Sequence, residues 1–345
     1  MTTVDAVPLA RAHAQLLAGP RAGGVAEVVR QVVALQAQDI RANRLGVRAR
    51  SAGLTASDVD AACASGAVVR TWAMRGTLHM LAAEDVAWIV GLLGPRFAAA
   101  GRSRRLQLGL DDEVTARGVT ALESILAGRS LPRGEIVAGL ADHGVVLDPK
   151  SQAPAHLLAF AALTGVLCRG ADRGDEPTYA LFSDWVGPFE TLQEEEASAR
   201  LASRYLAAYA PATAEDFAAW SGLTLRQARA GFAAADHFEP PIVDEFSVRL
   251  LGHFDTYLLG YRSRELAVPA EYDRRIQAGG GFIMPAVLVN GRVVGTWRQD
   301  RKKGELQVRV EPFGGLPGGL DAALLTEVED LGRFLGVPAA FHSAG

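Results

Sequence analysis

The chain has 345 residues, 49 % apolar and 21 % charged, with a net charge of −4. At typical domain sizes of about 150 residues it can form two domains or several small modules, and its composition excludes a disordered or fibrous protein. Cys63 and Cys168 lie far apart without metal-ligand spacing, so neither a disulfide scaffold nor a structural zinc site is indicated. No apolar run of 18 residues escapes charges or breakers, and the start lacks the succession of a signal peptide, so a cytoplasmic protein without membrane association is expected. The charge is unevenly divided. Residues 1–110 carry 13 arginines and seven acids, net +6, whereas the remainder carries 22 basic and 32 acidic residues, net −10. A DNA-facing surface is therefore expected chiefly in the first part.

In chain order, apolar periodicity predicts helices within residues 24–36, 40–51 and 55–68, with Thr55 as a hydroxyl cap and Asp58 in the first turn. Two extended pieces follow, around Val68–Trp72 and Thr77–Met80, joined by a tight turn at Gly76. Another helix starts near Ala83. This is a winged-helix outline for residues 1–110. A second cycle occupies residues 111–190, with helical patterns before Gly128, around Glu135 and from His156, then a breaker-rich segment and an extended TYALFSDW. A third, at residues 191–240, offers Thr213 and Thr224 as caps and Gly222 as a turn. From about residue 241 the pattern becomes β-rich: extended candidates lie at IVDEF, VRLLG, TYLLGY, FIMPAVLVNG, RVVGTWR and GELQVRVEPF, with a hairpin turn at Asn290-Gly291. A helix within residues 322–336 covers this last module. The expected fold class is α+β, with three repeated winged-helix cycles followed by a β-rich module.

The most unusual polar run is Gln36-Ala37-Gln38-Asp39. Two residues apart, the glutamines diverge by about 200° on a helix but share a side of an extended strand, so a helix break would align them. Convergent amides can accept from and donate to one water and fix it as a nucleophile; helix capping or an internal polar network competes with that reading. Asp39 can cap the next helix, hold Arg41 or Arg44, or support the chemistry. His79 reads either as a DNA or sugar contact or as an inward wing histidine. Arg75 reads as a DNA contact or an internal ion pair. Arg41, Arg44 and Arg48 follow helical spacing and would form a positive face, while Arg102, Arg104 and Arg105 form a second basic patch, with salt bridging as the competing reading. Trp72, Trp88, Phe160, Phe182 and Trp297 read as packing residues. Asp255 is expected to pair with Arg262 or Arg264, and Arg298 with the run at residues 301–303 to meet DNA.

The ensemble of Gln36-Ala37-Gln38, WAMRGTLHML at 72–81, FDTYLLGYRSR at 254–264 and VVGTWR at 293–298 resembles the AlkZ-type DNA glycosylases of the winged-helix YcaQ and AlkZ superfamily, over nearly the full chain. The resemblance implies three tandem winged-helix motifs, a C-terminal β-barrel-like domain, and monofunctional release of cationic alkylated bases such as N7-alkylguanine from double-stranded DNA. It implies Gln36 and Gln38 as the catalytic pair of a QΦQ motif; alanine in its centre departs from a bulkier aliphatic, and the YcaQ branch has QΦD. Only three lysines occur, Lys150, Lys302 and Lys303, and none is near the motif, so Schiff-base lyase chemistry is disfavoured. No cofactor, metal or obligatory protein partner is expected, and the protein is expected on DNA or the nucleoid. Simple adducts, bulky adducts and interstrand crosslinks stay open as substrates; the alternative is a non-catalytic winged-helix regulator.

Overall fold

The computed structural model describes residues 3–187, 192–236, 238, 245–314 and 319–343. It is a mixed α+β fold of two compact units, one gathering Met1–Val59, Ala199–Trp220 and Thr224–Gly345, the other Asp60–Ser198 and Ser221–Leu223. The chain starts with α1 (Thr3–Ala14), α2 (Val25–Val32), the two-residue strand β1 (Leu35–Gln36), α3 (Ile40–Arg50) and α4 (Ala56–Ala64). The helix expected over residues 24–36 therefore ends early. Val33 turns the chain with φ +66°, a backbone region costly for a β-branched side chain, and the chain then runs extended into the glutamines. Thr55 and Asp58 cap α4 reciprocally: Thr55 donates its backbone N–H to Asp58 Oδ2 at 2.7 Å, and Asp58 donates its own to Thr55 Oγ1 at 3.3 Å.

In the second unit, β2 (Val68–Trp72) and β3 (Leu78–Ala82) pair antiparallel, Val68 opposite Ala82 and Trp72 opposite Leu78. Then come α5 (Ala83–Ala100), α6 (Arg102–Gln107), α7 (Asp112–Leu126), β4 (Leu131–Pro132), α8 (Arg133–Asp142), α9 (Ala153–Leu163), β5 (Leu167–Arg169), β6 (Thr178–Leu181) and α10 (Phe182–Trp185). The strands lie side by side as β3, β2, β5, β6, β4. Leu122, Leu126, Ile136, Leu157, Leu158 and Leu167 close one core, each worth about 1.5–3 kcal/mol when fully buried. Gly94 allows α5 to touch α9, since a Cβ there would lie 2.0 Å from the Leu163 carbonyl oxygen.

The remaining elements are α11 (Glu194–Tyr209), α12 (Ala214–Ser221), α13 (Leu225–Ala234), β7 (Val248–Leu251), α14 (Thr256–Leu259), α15 (Asp273–Ile276), β8 (Ala286–Val289), β9 (Arg292–Lys302), β10 (Glu305–Pro312), α16 (Leu320–Leu335) and β11 (Ala339–Ser343). Thr224 and Gln227 form a full capping box on α13. The strands order as β11, β10, β9, β8, β7, with β10 and β11 parallel and the other pairs antiparallel. The expected barrel-like module is thus a five-stranded sheet with β7 and β11 at its edges, and Leu324, Val328 and Leu331 of α16 share a core with its Leu250, Trp297, Val308 and Val310. Asn290 and Gly291 take φ +48° and +78° between β8 and β9, the positive dihedrals of a tight hairpin. TYLLGY is not extended: Asp255 accepts from Tyr257 N at 2.9 Å and caps the short helix α14. The strand candidate IVDEF lies, at residues 242–244, outside the described residues. No helix among the described residues is long and apolar enough to cross a membrane.

Candidate functional site

The helix break at Val33 brings the two glutamines to one side of the chain. Gln36 Nε2 donates to Gln38 Oε1 at 2.6 Å, and Gln38 donates its backbone N–H to Gln36 Oε1 at 3.2 Å. Gln36 is buried and Gln38 exposed. Each amide orients the other, because a side-chain oxygen that accepts a backbone N–H must turn its NH2 toward the remaining acceptor. Gln38 keeps both amide hydrogens and one lone pair of Oε1 for a partner, and Gln36 keeps one hydrogen. Such a pair can accept a hydrogen bond from a water, donate to an oxygen, and hold partial negative charge toward a developing cation.

The segment is supported from both sides. Tyr209 donates its hydroxyl to the Val32 carbonyl oxygen at 3.1 Å, closing the end of α2, and burial pushes its phenol up to about 12. Asp39 caps α3: Oδ1 accepts from Arg41 N at 2.8 Å and from Ala42 N at 3.0 Å. Of the three roles open to Asp39, this is the one seen. Asn43, one turn into α3, donates from Nδ2 to the Gln36 carbonyl oxygen at 3.0 Å. The seven-residue spacing from Gln36 was visible in the sequence, but only the break at Val33 makes it a contact.

Of the positive face expected along α3, Arg48 turns inward. Arg41 is exposed and Arg44 half-buried, but Arg48 is 1 % exposed and donates to Glu327 Oε2 at 2.5 Å and to the Glu327 carbonyl oxygen at 3.0 Å. The expected phosphate contact of Arg48 is corrected to a buried tie between α3 and α16, because a carboxylate has replaced its water. Arg50, fully buried, donates to both oxygens of Asp255 at 2.9 and 2.7 Å, and to Gln15 Oε1. Asp255 is structural as expected, but its partner is Arg50, not Arg262 or Arg264. Arg298 lies 3.1 Å from Glu311, both well exposed.

The other named residues lie in the second unit. Arg75 sits half-buried at φ +55° between β2 and β3. Arg102 pairs with Asp112 at 2.6 Å, and Arg104 donates to Gln107 and Gln152. Arg105 is 7 % exposed, donates to the Ala98 carbonyl oxygen at 2.8 Å and covers the Phe160 ring at 4.2 Å; its expected DNA contact is corrected to a packing role. Arg105 and Phe160 also line a cavity of about 450 Å³ with Thr115, Val119 and Thr164. Trp88 and Phe182 are core residues, and Trp297 of the first unit is another, donating from Nε1 to the Leu251 carbonyl oxygen at 2.7 Å. Six of the 13 arginines of residues 1–110 are paired with later acids. Arg11, Arg21, Arg48, Arg50, Arg70 and Arg102 pair with Asp216, Asp330, Glu327, Asp255, Asp172 and Asp112, all acids from beyond residue 110.

His79 faces inward. Its Nδ1 lies 2.9 Å from the Thr77 carbonyl oxygen, which can only accept, so Nδ1 carries the hydrogen. Burial, with Arg75 nearby, lowers its pKa to about 3, so the ring is neutral at pH 7. The unfolded chain takes up this proton near pH 6.5 and the folded chain near 3, so stability is complete above about 6.5 and declines as pH falls through that window. His156, lowered by burial and by Arg104 and Arg105, adds to the same decline. His79→Asn keeps a donor for Thr77 and removes the titration; its urea midpoint should fall less than the parent's between pH 7 and 5. Equal slopes would contradict the assignment.

A family model described as DNA glycosylase AlkZ-like matches residues 29–334. The chain belongs to this family. It is 31 % identical over 304 residues to a Streptomyces sahachiroi protein described as an interstrand DNA cross-link repair glycosylase, covering 79 % of this chain and 81 % of the relative. The solved structure of Streptomyces sahachiroi DNA glycosylase AlkZ superposes with a TM-score of 0.80 at 27 % identity, covering 98 % of this chain and 99 % of the other. The α+β architecture is therefore that of an AlkZ-like glycosylase, and the glutamine pair lies inside the matched region.

Proposed function

We propose that this AlkZ-like chain is a monofunctional glycosylase that hydrolyses the N-glycosidic bond of cationic alkylpurines, N7-alkylguanine above all, in double-stranded DNA. The observation that carries the reading is the hydrogen-bonded, partly exposed pair Gln36 and Gln38. An N7-alkylated guanine already bears positive charge and leaves as a neutral base, so no strong enzyme acid is needed. The protein must instead hold a water against C1′ and stabilise the cationic sugar as the bond to nitrogen breaks, which two neutral amides can do. Water oxygen bonds to C1′, its proton passes to solvent, and the electron pair of the C1′–N bond departs with the base, giving a free base and an abasic site. The absence of a lysine from the motif supports hydrolysis without strand cleavage. The relative's description supports interstrand crosslinks within the substrate range.

Residues 1–110 and 111–190 are read as two winged helices, and the helices of residues 191–240 as a third helix-turn-helix or winged-helix module whose wing extends into the β-rich residues 241–345; the protein is placed in the cytoplasm on DNA or the nucleoid. Phosphate contact is assigned to Arg41 and Arg44 beside the glutamines, to Arg75, Arg102 and Arg104 in the second unit, and to Arg298 with residues 301–303. Asp39 and His79 act as structural support. Arg41→Ala should weaken binding to every DNA sequence and reduce the slope of log affinity against log salt by about one, the loss of a single phosphate contact. An unchanged slope in a salt titration would remove Arg41 from the interface.

The test of function is product analysis on duplexes carrying one N7-methylguanine, or one N7-guanine crosslink, under single-turnover conditions. Free alkylguanine and an intact abasic strand, cleaved only after heat or alkali, are expected. Tight binding with no released base would favour the regulator reading, and strand cleavage without heat would overturn monofunctional chemistry.

A further inference from the structure

The glutamine pair has a hierarchy of attachment. Gln38 is exposed and its side chain is held by Gln36, so its position is only as well defined as that of Gln36. Gln36 is held in turn through its own backbone, whose carbonyl oxygen accepts from Asn43 Nδ2 at 3.0 Å. Asn43 also donates its backbone N–H to the Asp39 carbonyl oxygen at 2.9 Å, so one residue grips both ends of the segment from Gln36 to Asp39. It is 3 % exposed, and a helical side chain leans toward the N-terminus of its helix, which aims the amide at the segment. Such a bond costs little to make in the folded state, yet it fixes the plane of the Gln36 peptide, from which the side-chain pair projects.

We propose that Asn43 is a positioning residue for the reaction, its side-chain amide setting through the Gln36 carbonyl where the Gln36–Gln38 pair holds the attacking water. The inference rests on the catalytic reading of the two glutamines. Asn43 touches neither water nor DNA in this scheme; it acts through Gln36. A displacement of about 1 Å in a reacting group is worth about a hundredfold in rate, so a lost Asn43 bond should be read in the chemical step and not in DNA affinity.

The test uses the full chain with Asn43→Asp, Asn43→Ala and Asn43→Gln, single-turnover release of N7-methylguanine, DNA affinity measured separately, and melting curves for each protein. An aspartate has the same shape but, ionised, only accepts, so it repels the Gln36 carbonyl; protonated, its O–H donates there. Asn43→Asp should release base about 10- to 100-fold more slowly at pH 8, with affinity changed less than about threefold, and recover relative to the parent as pH falls toward 5. Asn43→Ala should be as slow without that recovery, and Asn43→Gln, which keeps the donor on a longer arm, should regain part of the rate. The ionisable neighbours Asp39, Arg41 and Arg44 on α3, and His253 beside the Gly252 that packs on Ala42 and Leu45, are common to all the proteins and cancel in the comparison. Parent-like rates in Asn43→Asp and Asn43→Ala, alongside inactive Gln38→Ala, would overturn the proposal. So would loss of affinity in step with rate, or loss of the folded state in every variant. Full activity in both Gln36→Ala and Gln38→Ala would instead overturn the catalytic reading on which it rests.

Discussion

Replacing Gln38 with alanine is expected to slow single-turnover release of N7-methylguanine by about a hundred- to a thousandfold, the usual cost of removing one aligned polar group from a transition state. Gln36→Ala should cost at least as much. Gln36 is the anchor: its Oε1 receives the backbone N–H of Gln38 and its Nε2 orients the Gln38 amide, so deleting it disables both side chains. Deleting Gln38 removes the exposed member and leaves Gln36 Nε2 buried without that acceptor. The double variant should therefore be little worse than Gln36→Ala alone, a non-additive result that marks two residues acting as a unit. DNA affinity should change little, because neither side chain carries charge. If both single variants release base at the parent rate while remaining folded by circular dichroism, water positioning must be sought elsewhere in the chain.

That the glutamines could pair was readable from sequence because the condition is local, although the helix was expected to run to residue 36 and the break at Val33 was not foreseen. Two glutamines at i and i+2 can share a face only where the helix stops, and the chain stops it at Val33, one residue after α2 ends. The caps Thr55 and Thr224 and the Asn290-Gly291 turn were legible for the same reason, each resting on bonds within a few residues. What could not be read was the destination of long side chains. Arg48 carries the spacing and charge of a DNA-facing helix with Arg41 and Arg44, yet it turns inward to Glu327, an acid 279 residues away, and Arg50 turns inward to Asp255. Part of the net +6 of residues 1–110 thus lies inside the fold, where Arg11, Arg48, Arg50 and Arg70 are buried against later acids, while Arg41, Arg102 and Arg104 stay exposed. TYLLGY failed for a related reason. Its β-favouring residues are overruled by Asp255, which caps Tyr257 while paired with Arg50, and by the Tyr257 hydroxyl, which donates to the carbonyl oxygens of Pro8 and Gly291.

Asp255→Asn is expected to destabilise the first unit by about 3–5 kcal/mol, the cost of leaving one member of a buried ion pair without its partner. Arg50 is fully buried, and four of its hydrogen bonds converge on Asp255, Gln15 and the Gly46 carbonyl oxygen. Removing the carboxylate charge leaves a guanidinium in a dry site, whereas removing both charges does not. The paired variant Arg50→Met with Asp255→Leu should consequently recover much of the loss, though not all, because Asp255 also caps α14 and that backbone N–H would lose its acceptor. Urea denaturation of the parent, Arg50→Met, Asp255→Leu and the double variant gives the coupling directly as a thermodynamic cycle. A single-variant loss below about 1 kcal/mol would mean that water reaches the pair and screens it, against the burial seen. The consequence for function is indirect but definite. Arg50 ends the same helix whose first turn carries Asp39 and Asn43, so a protein lacking the Asp255 charge should lose base release in proportion to its unfolded fraction, and regain it at lower temperature where folding is restored.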